Sequence, residues 1–222
     1  MKTNNFKGII FDLDGTLVNS LEDIALAMNN ILRKFGLPAH EIDDYKYLIG
    51  NGIYNLVLKA LPESLRTKDG FFISHCHDFM MREYSNNCLV ETRLYDGIEQ
   101  LLLDLKQREV KIAVFSNKIE KLTLKIISKL LPEINFDAVI GAREDVPKKP
   151  DPAGAIIISN MMGIKPENML YVGDSDVDMQ ASRRAGMYSA GALWGFRDRE
   201  ELVSSGADFL VNHPAELLQL LY

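Results

Sequence analysis

Two short stretches of the 222-residue chain place carboxylates where an apolar run ends. Ile9-Ile10-Phe11 leads into Asp12-Leu13-Asp14-Gly15-Thr16, and Leu170-Tyr171-Val172 leads into Gly173-Asp174-Ser175-Asp176-Val177-Asp178. Acids two apart on an extended strand point to opposite faces, but a turn at Gly15 can bring Asp12 and Asp14 toward one site. A lone Asp-x-Asp often does no more than end a strand. Two acidic strand ends in one sheet repel each other unless a cation lies between them. Oxygen ligands without a cysteine or histidine suit magnesium better than zinc. Ser116-Asn117, after Ala113-Val114-Phe115, offers a hydroxyl and an amide, and Lys148-Lys149-Pro150-Asp151-Pro152 places a cation in a proline-bounded loop. Together these pieces supply a nucleophile, an acid/base, metal ligands, a hydroxyl donor and a cation. Phosphoryl transfer through an aspartyl-phosphate requires that inventory.

The elements that must position these residues follow from periodicity. Short, β-branched apolar runs predict strands at Gly8–Phe11, Lys111–Phe115, Phe136–Ile140, Asn168–Val172, Tyr188–Leu193 and Asp208–Val211. Helix-period segments lie between most of them, at Ile98–Arg108, Ile119–Leu131, Pro152–Met162 and Asp176–Ala185. Alternating strands and helices imply an α/β fold, a Rossmann-like parallel sheet whose carboxyl edge binds ligands, with the Asp12 strand central. From Ser20 to about Val90 the pattern is helical. Ser20 can cap a helix, with Asp23 three positions on; Ile24, Met28, Ile31, Leu32 and Phe35 form its stripe, and Gly36 and Pro38 end it. Further helices are predicted at Ile53–Ala60 and Gly70–Ser85. The expected organisation is an α/β core over residues 1–17 and 91–222, with a helical insert over residues 18–90 after the first strand.

This set of motifs resembles the haloacid-dehalogenase-like superfamily. Asp12-Leu13-Asp14-Gly15-Thr16 matches its first motif, Ser116 the second, Lys149-Pro150-Asp151-Pro152 the third and Gly173-Asp174-Ser175-Asp176-Val177-Asp178 the fourth, in the right order along nearly the whole chain. Gly50-Asn51-Gly52, Ala181-Ser182-Arg183-Arg184-Ala185-Gly186 and Leu193-Trp194-Gly195-Phe196 resemble the phosphoglycolate phosphatase branch. The resemblance implies a helical cap in place of the insert. It makes Asp12 the nucleophile, Asp14 the acid/base, and Asp12, Asp174 and the backbone carbonyl of Asp14 the ligands of Mg2+. Asp178 is expected to orient a bound water or Lys149. Ser116 and Asn117 are expected to hold phosphoryl oxygens through hydroxyl and backbone N–H, with Thr16 and Gly52 as further substrate contacts. Lys149 neutralises Asp12 and the phosphoryl group, and Lys148 is its runner-up.

The implied function is magnesium-dependent hydrolysis of a small phosphate monoester, phosphoglycolate first. The rivals are a β-phosphoglucomutase-like phosphomutase, a pyrophosphatase or nucleotidase, and a catalytically silent binding module on the same fold. A net charge of -6 argues against a nucleic-acid or membrane-surface partner. No apolar run approaches the roughly 20 residues that span a bilayer, and Met1–Lys7 lacks the apolar block of a signal peptide. With only Cys76 and Cys88, no disulfide framework is expected, and the expected address is cytoplasmic, as a monomer or homodimer. His75-Cys76-His77 reads as helix surface and packing, since helix neighbours one and two apart face different ways. Lys118, Lys121, Lys125 and Lys129 read as a solvated helix face opposite Leu122, Ile126 and Leu130. Gly50-Asn51-Gly52 is either an inter-helix turn or a substrate-facing loop. Trp194 either lines the site or packs.

Overall fold

The computed structural model describes residues 6–66 and 70–221; residues 1–5, most of the Met1–Lys7 stretch that lacks a signal-peptide apolar block, lie outside them. The chain divides into two compact units, Met1–Asn19 with Leu94–Tyr222, and Ser20–Arg93.

The first unit is built on a six-stranded sheet. Its strands are β1 (Gly8–Phe11), β4 (Lys111–Ile119), β5 (Ala138–Ala142), β6 (Met169–Gly173), β7 (Tyr188–Ala192) and β8 (Phe209–Val211). They lie in the order β5-β4-β1-β6-β7-β8, and every pair is parallel. β1 is therefore central and wholly buried, as its unbroken apolar run requires. Two two-residue strands, β2 (Val18–Asn19) and β3 (Arg93–Leu94), pair as a separate ribbon. The intervening helices are α6 (Ile98–Gln107), α7 (Glu120–Leu130), α8 (Ala153–Met162), α9 (Asp176–Ala185) and α10 (Arg199–Ser204). Ile10, Phe115, Ile140 and Tyr171 from the strands meet Ala155, Ile158 and Met162 of α8 in one buried layer. Truncating a side chain as enclosed as Ile158 costs about 2–5 kcal/mol.

Register aligns the motifs. Phe11 lies beside Val114 of β4 and Val172 of β6. Asp12 is one residue past that line, and Ser116 and Asp174 are two past it, so all three emerge at the carboxyl edge. Two expectations shift. β5 starts two residues later than the apolar run suggests, and β4 continues through Ser116 and Asn117 to Ile119, with a register irregularity against β5 between Phe115 and Ile119. The bulge lets the strand turn over the sheet edge without ending.

The second unit holds α1 (Leu21–Lys34), α2 (Tyr45–Leu48), α3 (Ile53–Ala60), α4 (Glu63–Arg66) and α5 (Gly70–Asn87). The stripe Ile24, Met28, Ile31 and Leu32 of α1 is buried, and α1 packs on α5. Gly36, in the left-handed region at φ 66°, follows the helix end. The start of α1 differs from the expected cap: the Ser20 side chain makes no capping hydrogen bond. Asp23 is spent elsewhere. Its carboxylate accepts from the Glu91 N–H, the Thr92 N–H and the Thr92 hydroxyl, all within 2.9 Å. That bond set ties the first helix to the end of the unit. Asn29 does similar work, bonding both backbone groups of His40 and accepting from the Tyr45 hydroxyl. His75 sits among Phe35, Phe71 and Phe79, while His77 lies beside Tyr54 and Cys76 is buried. The three residues serve packing and surface, consistent with their directions on α5.

Candidate active site

At the carboxyl edge, Asp12 ends the central strand. Its Oδ1 accepts from the Leu13 N–H at 2.6 Å and from the Lys149 ammonium at 2.8 Å. The same ammonium reaches Asp178 Oδ1 at 2.7 Å. Asp178 sits in the first turn of α9, and its Oδ2 accepts from the Ser175 hydroxyl at 2.5 Å and the Ser175 N–H at 3.2 Å. This is a capping box, which locks the helix start and the carboxylate together. Lys149 is fixed from its own backbone. Its N–H donates to Asn117 Oδ1 at 2.8 Å and its carbonyl accepts from Asn117 Nδ2 at 3.0 Å.

Asp174 is held from both sides. The Thr16 hydroxyl donates to Oδ1 at 3.2 Å and the Phe196 N–H to Oδ2 at 2.8 Å. The fit leaves no room beside it. A Cβ on Gly15 would lie 2.2 Å from Asp174 Oδ2, and one on Gly195 would lie 2.2 Å from Asp174 Cβ. Gly15 also has φ 85°, which an L side chain resists. The Trp194 Nε1–H donates to the Thr16 carbonyl at 2.9 Å and so closes the loop that follows β1.

One carboxylate oxygen from each of Asp12, Asp174 and Asp178 lies within 4.8 Å of the others, and all three residues are buried. Burial first, then the charges of Asp178 and Asp14 against the pull of Lys149, pushes the Asp12 carboxyl up to about 7. Burial, with Asp178 and Asp12, likewise holds the Asp174 carboxyl well above the usual range, against the Phe196 N–H and Arg197. Burial alone would lower the Lys149 ammonium, but Asp12 and Asp178 together outweigh it and raise it well above its ordinary value. Tyr95 belongs to the same neighbourhood, since after burial the charges of Asp174 and Asp14 raise its phenol. A cluster that resists its own ionisation in this way fits a hard cation, whose charge offsets both desolvation and mutual repulsion.

Residues 9–192 match the family described as haloacid dehalogenase-like hydrolases. The chain belongs to that family. It is 38% identical over 213 residues to a phosphoglycolate phosphatase of Aquifex aeolicus, a match covering 96% of this chain and 95% of that one. It is 31% identical over 222 residues to a phosphoglycolate phosphatase of Chromobacterium violaceum, covering 100% and 99%. A crystal structure of a predicted phosphoglycolate phosphatase from Haemophilus somnus superposes with TM-score 0.89 at 29% identity, covering 98% of this chain and 99% of that one. These likenesses make the chain a haloacid-dehalogenase-like phosphatase of the phosphoglycolate-phosphatase-like branch.

Against that family pattern, Asp12, Asp174, Asp178, Ser116, Asn117 and Lys149 converge on one edge, while Gly52 lies in the helical unit, at φ 84° in the turn that starts α3. Lys148 is exposed and Lys149 buried, which separates the two lysines. Two expectations change, at Thr16 and Lys118. The Thr16 hydroxyl, fully buried, faces Asp174 and supports that carboxylate from behind. The Asn117 side chain is committed to the Lys149 backbone. Lys118 is no solvated helix residue: it is 6% exposed, and its ammonium meets both oxygens of Asp14 at 2.8 and 2.9 Å. The helical spacing of three and four between these lysines hid this, because Lys118 belongs to β4 and not to α7. Among the described residues, no helix is long and apolar enough to cross a membrane.

Proposed function

We propose that this chain hydrolyses a small phosphate monoester, 2-phosphoglycolate first, with Mg2+, through a phosphoaspartate on Asp12. The observation that carries the reading is the Asp12–Lys149 pair, 2.8 Å apart at the carboxyl end of the central strand beside a second buried acidic strand end. Both named contacts of the Asp12 carboxylate fall on Oδ1, so Oδ2 is assigned the attack on phosphorus. As that bond forms, the bond from phosphorus to the ester oxygen breaks, and Asp14 gives the departing oxygen its proton. Asp14 then takes a proton from the water that attacks the phosphoaspartate, and phosphate leaves. Lys149 neutralises Asp12 while a phosphate dianion approaches, with Asp178 holding its ammonium and Asn117 its backbone in place. Ser116 offers its hydroxyl to the phosphoryl oxygens. Asp12, Asp174 and the Asp14 carbonyl would hold Mg2+, which when bound supplies charge neutralisation to the phosphoryl oxygens. Asp178, engaged by Lys149 and Ser175, orients rather than ligates. The helical unit acts as the cap, and the protein works in the cytoplasm on a soluble metabolite.

The test is phosphate release from 2-phosphoglycolate by purified protein, with Mg2+ and with a chelator. Alongside it, acid quench of the reaction with 32P-labelled substrate reports label on the protein. Mg2+-dependent release and acyl-phosphate label are expected. Release without any protein-bound label would point to direct attack by water and remove Asp12 as nucleophile.

A further inference from the structure

The reaction above uses one buried lysine, Lys149, for the nucleophile and the phosphoryl group. The site contains a second. Lys118 has a side chain 3% exposed, and its ammonium is held between the two oxygens of Asp14. Its backbone N–H donates to the Ser116 hydroxyl at 3.2 Å, which anchors it to the phosphoryl-binding strand. Asp14 stands on the leaving-group side of the reaction, so Lys118 stands there too. A neutral alcohol has no use for an ammonium in that position, and burying one costs desolvation free energy.

We propose that Lys118 is a specificity-determining residue that recognises a carboxylate on the leaving group. The substrate class is then the phosphate monoesters of 2-hydroxycarboxylic acids. The assignment rests on the acid/base role of Asp14 given above. Reach supports it. Asp14 must come within about 2.6–3.2 Å of the ester oxygen to protonate it, and Lys118 Nζ lies 2.8 Å from the nearer Asp14 oxygen. The ammonium is therefore within roughly 6 Å of the ester oxygen at most. A carboxylate on the carbon that bears that oxygen falls inside this radius. The ammonium then bridges Asp14 and the substrate carboxylate, a charge-assisted pair of the kind that is strong when enclosed. Selectivity for the acid part of the substrate thus comes from the sheet edge itself.

The experiment compares kcat/KM for 2-phosphoglycolate and for ethyl phosphate, which carries a methyl where the acid carries its carboxylate. Wild-type protein and Lys118→Met are both measured with Mg2+. The wild-type ratio is expected to favour phosphoglycolate by about 100-fold or more, and Lys118→Met to cut that ratio by about 30-fold, mostly through KM. Lys118→Arg should restore part of it. An equal loss on both esters, leaving the ratio unchanged, overturns the proposal and makes Lys118 a residue that only positions Asp14. A wild-type ratio near one overturns it without any variant, so a variant that fails to fold does not shield it. If the wild type hydrolyses neither ester, the hydrolase reading fails instead. The same ratio is then read from the Kd values of the two esters by calorimetry, where equal affinities overturn the Lys118 assignment on its own.

Discussion

Both units bury carboxylates, and they treat them in opposite ways. In the helical unit, Asp23 stands alone and receives three fixed donors from Glu91 and Thr92. At the sheet edge, Asp12, Asp174 and Asp178 crowd within 4.8 Å, and their partners include an ammonium shared between two of them. The first arrangement is saturated by the chain and serves only to hold it. The second keeps like charges crowded around one shared ammonium. Burial of an acid is common to both; what marks a site is like charge assembled beyond what the protein's own donors settle.

The comparison can be broken first at Asp12. Asp12→Asn keeps the shape but removes the proposed nucleophile and one of the crowded charges. Turnover of 2-phosphoglycolate should fall on the order of 10⁴-fold or more, while thermal unfolding in the absence of metal moves up or stays level. A variant that lost stability with its activity would place Asp12 with Asp23 as a structural acid. Asp23→Ala is the mirror experiment. It strands the Glu91 and Thr92 N–H groups, so it should cost about 2–4 kcal/mol in urea unfolding. The kcat per folded molecule should change by less than about 3-fold; a large kcat defect in fully folded protein would contradict the contrast.

The smallest effect sharpens the contrast through pH. The folded Asp12 carboxyl rises from 3.8 to about 7, so the folded chain keeps a proton that the unfolded chain has released. Its contribution to stability is full below the unfolded value and is lost as pH rises through the folded one. Metal-free wild-type protein should therefore lose more of its Tm than Asp12→Asn does between pH 4 and 7. Mg2+ should restore more at pH 7.5 than at pH 5. Parallel Tm curves for the two proteins would show that Asp12 carries no such burden.

Much of this site was legible in one dimension because a parallel sheet converts strand ends into neighbours. Once β1, β4 and β6 were recognised as strands, Asp12, Ser116 and Asp174 had to share an edge. The misreadings occurred where a side chain could turn either way. Thr16 follows Gly15, and the turn there sends its hydroxyl inward to Asp174. Lys118 lies where a strand's period of two meets a helix's period of 3.6, and the helical period fits the lysines that follow. β2 and β3, at two residues each, are too short to show any period. Ser20 and Asp23 have the spacing of a helix cap, but the donors that claim Asp23 lie 68 and 69 residues away, beyond any local pattern.

The indole of Trp194 has a practical consequence. It is the chain's one tryptophan, and its Nε1–H is bonded to the carbonyl of Thr16, whose hydroxyl in turn holds Asp174. Light absorbed at the red edge of the protein's ultraviolet band is therefore emitted from a single chromophore, two bonded steps from that carboxylate. Titrating the protein with a divalent ion while following its emission maximum and its quenching by iodide would read the state of that loop in unlabelled protein.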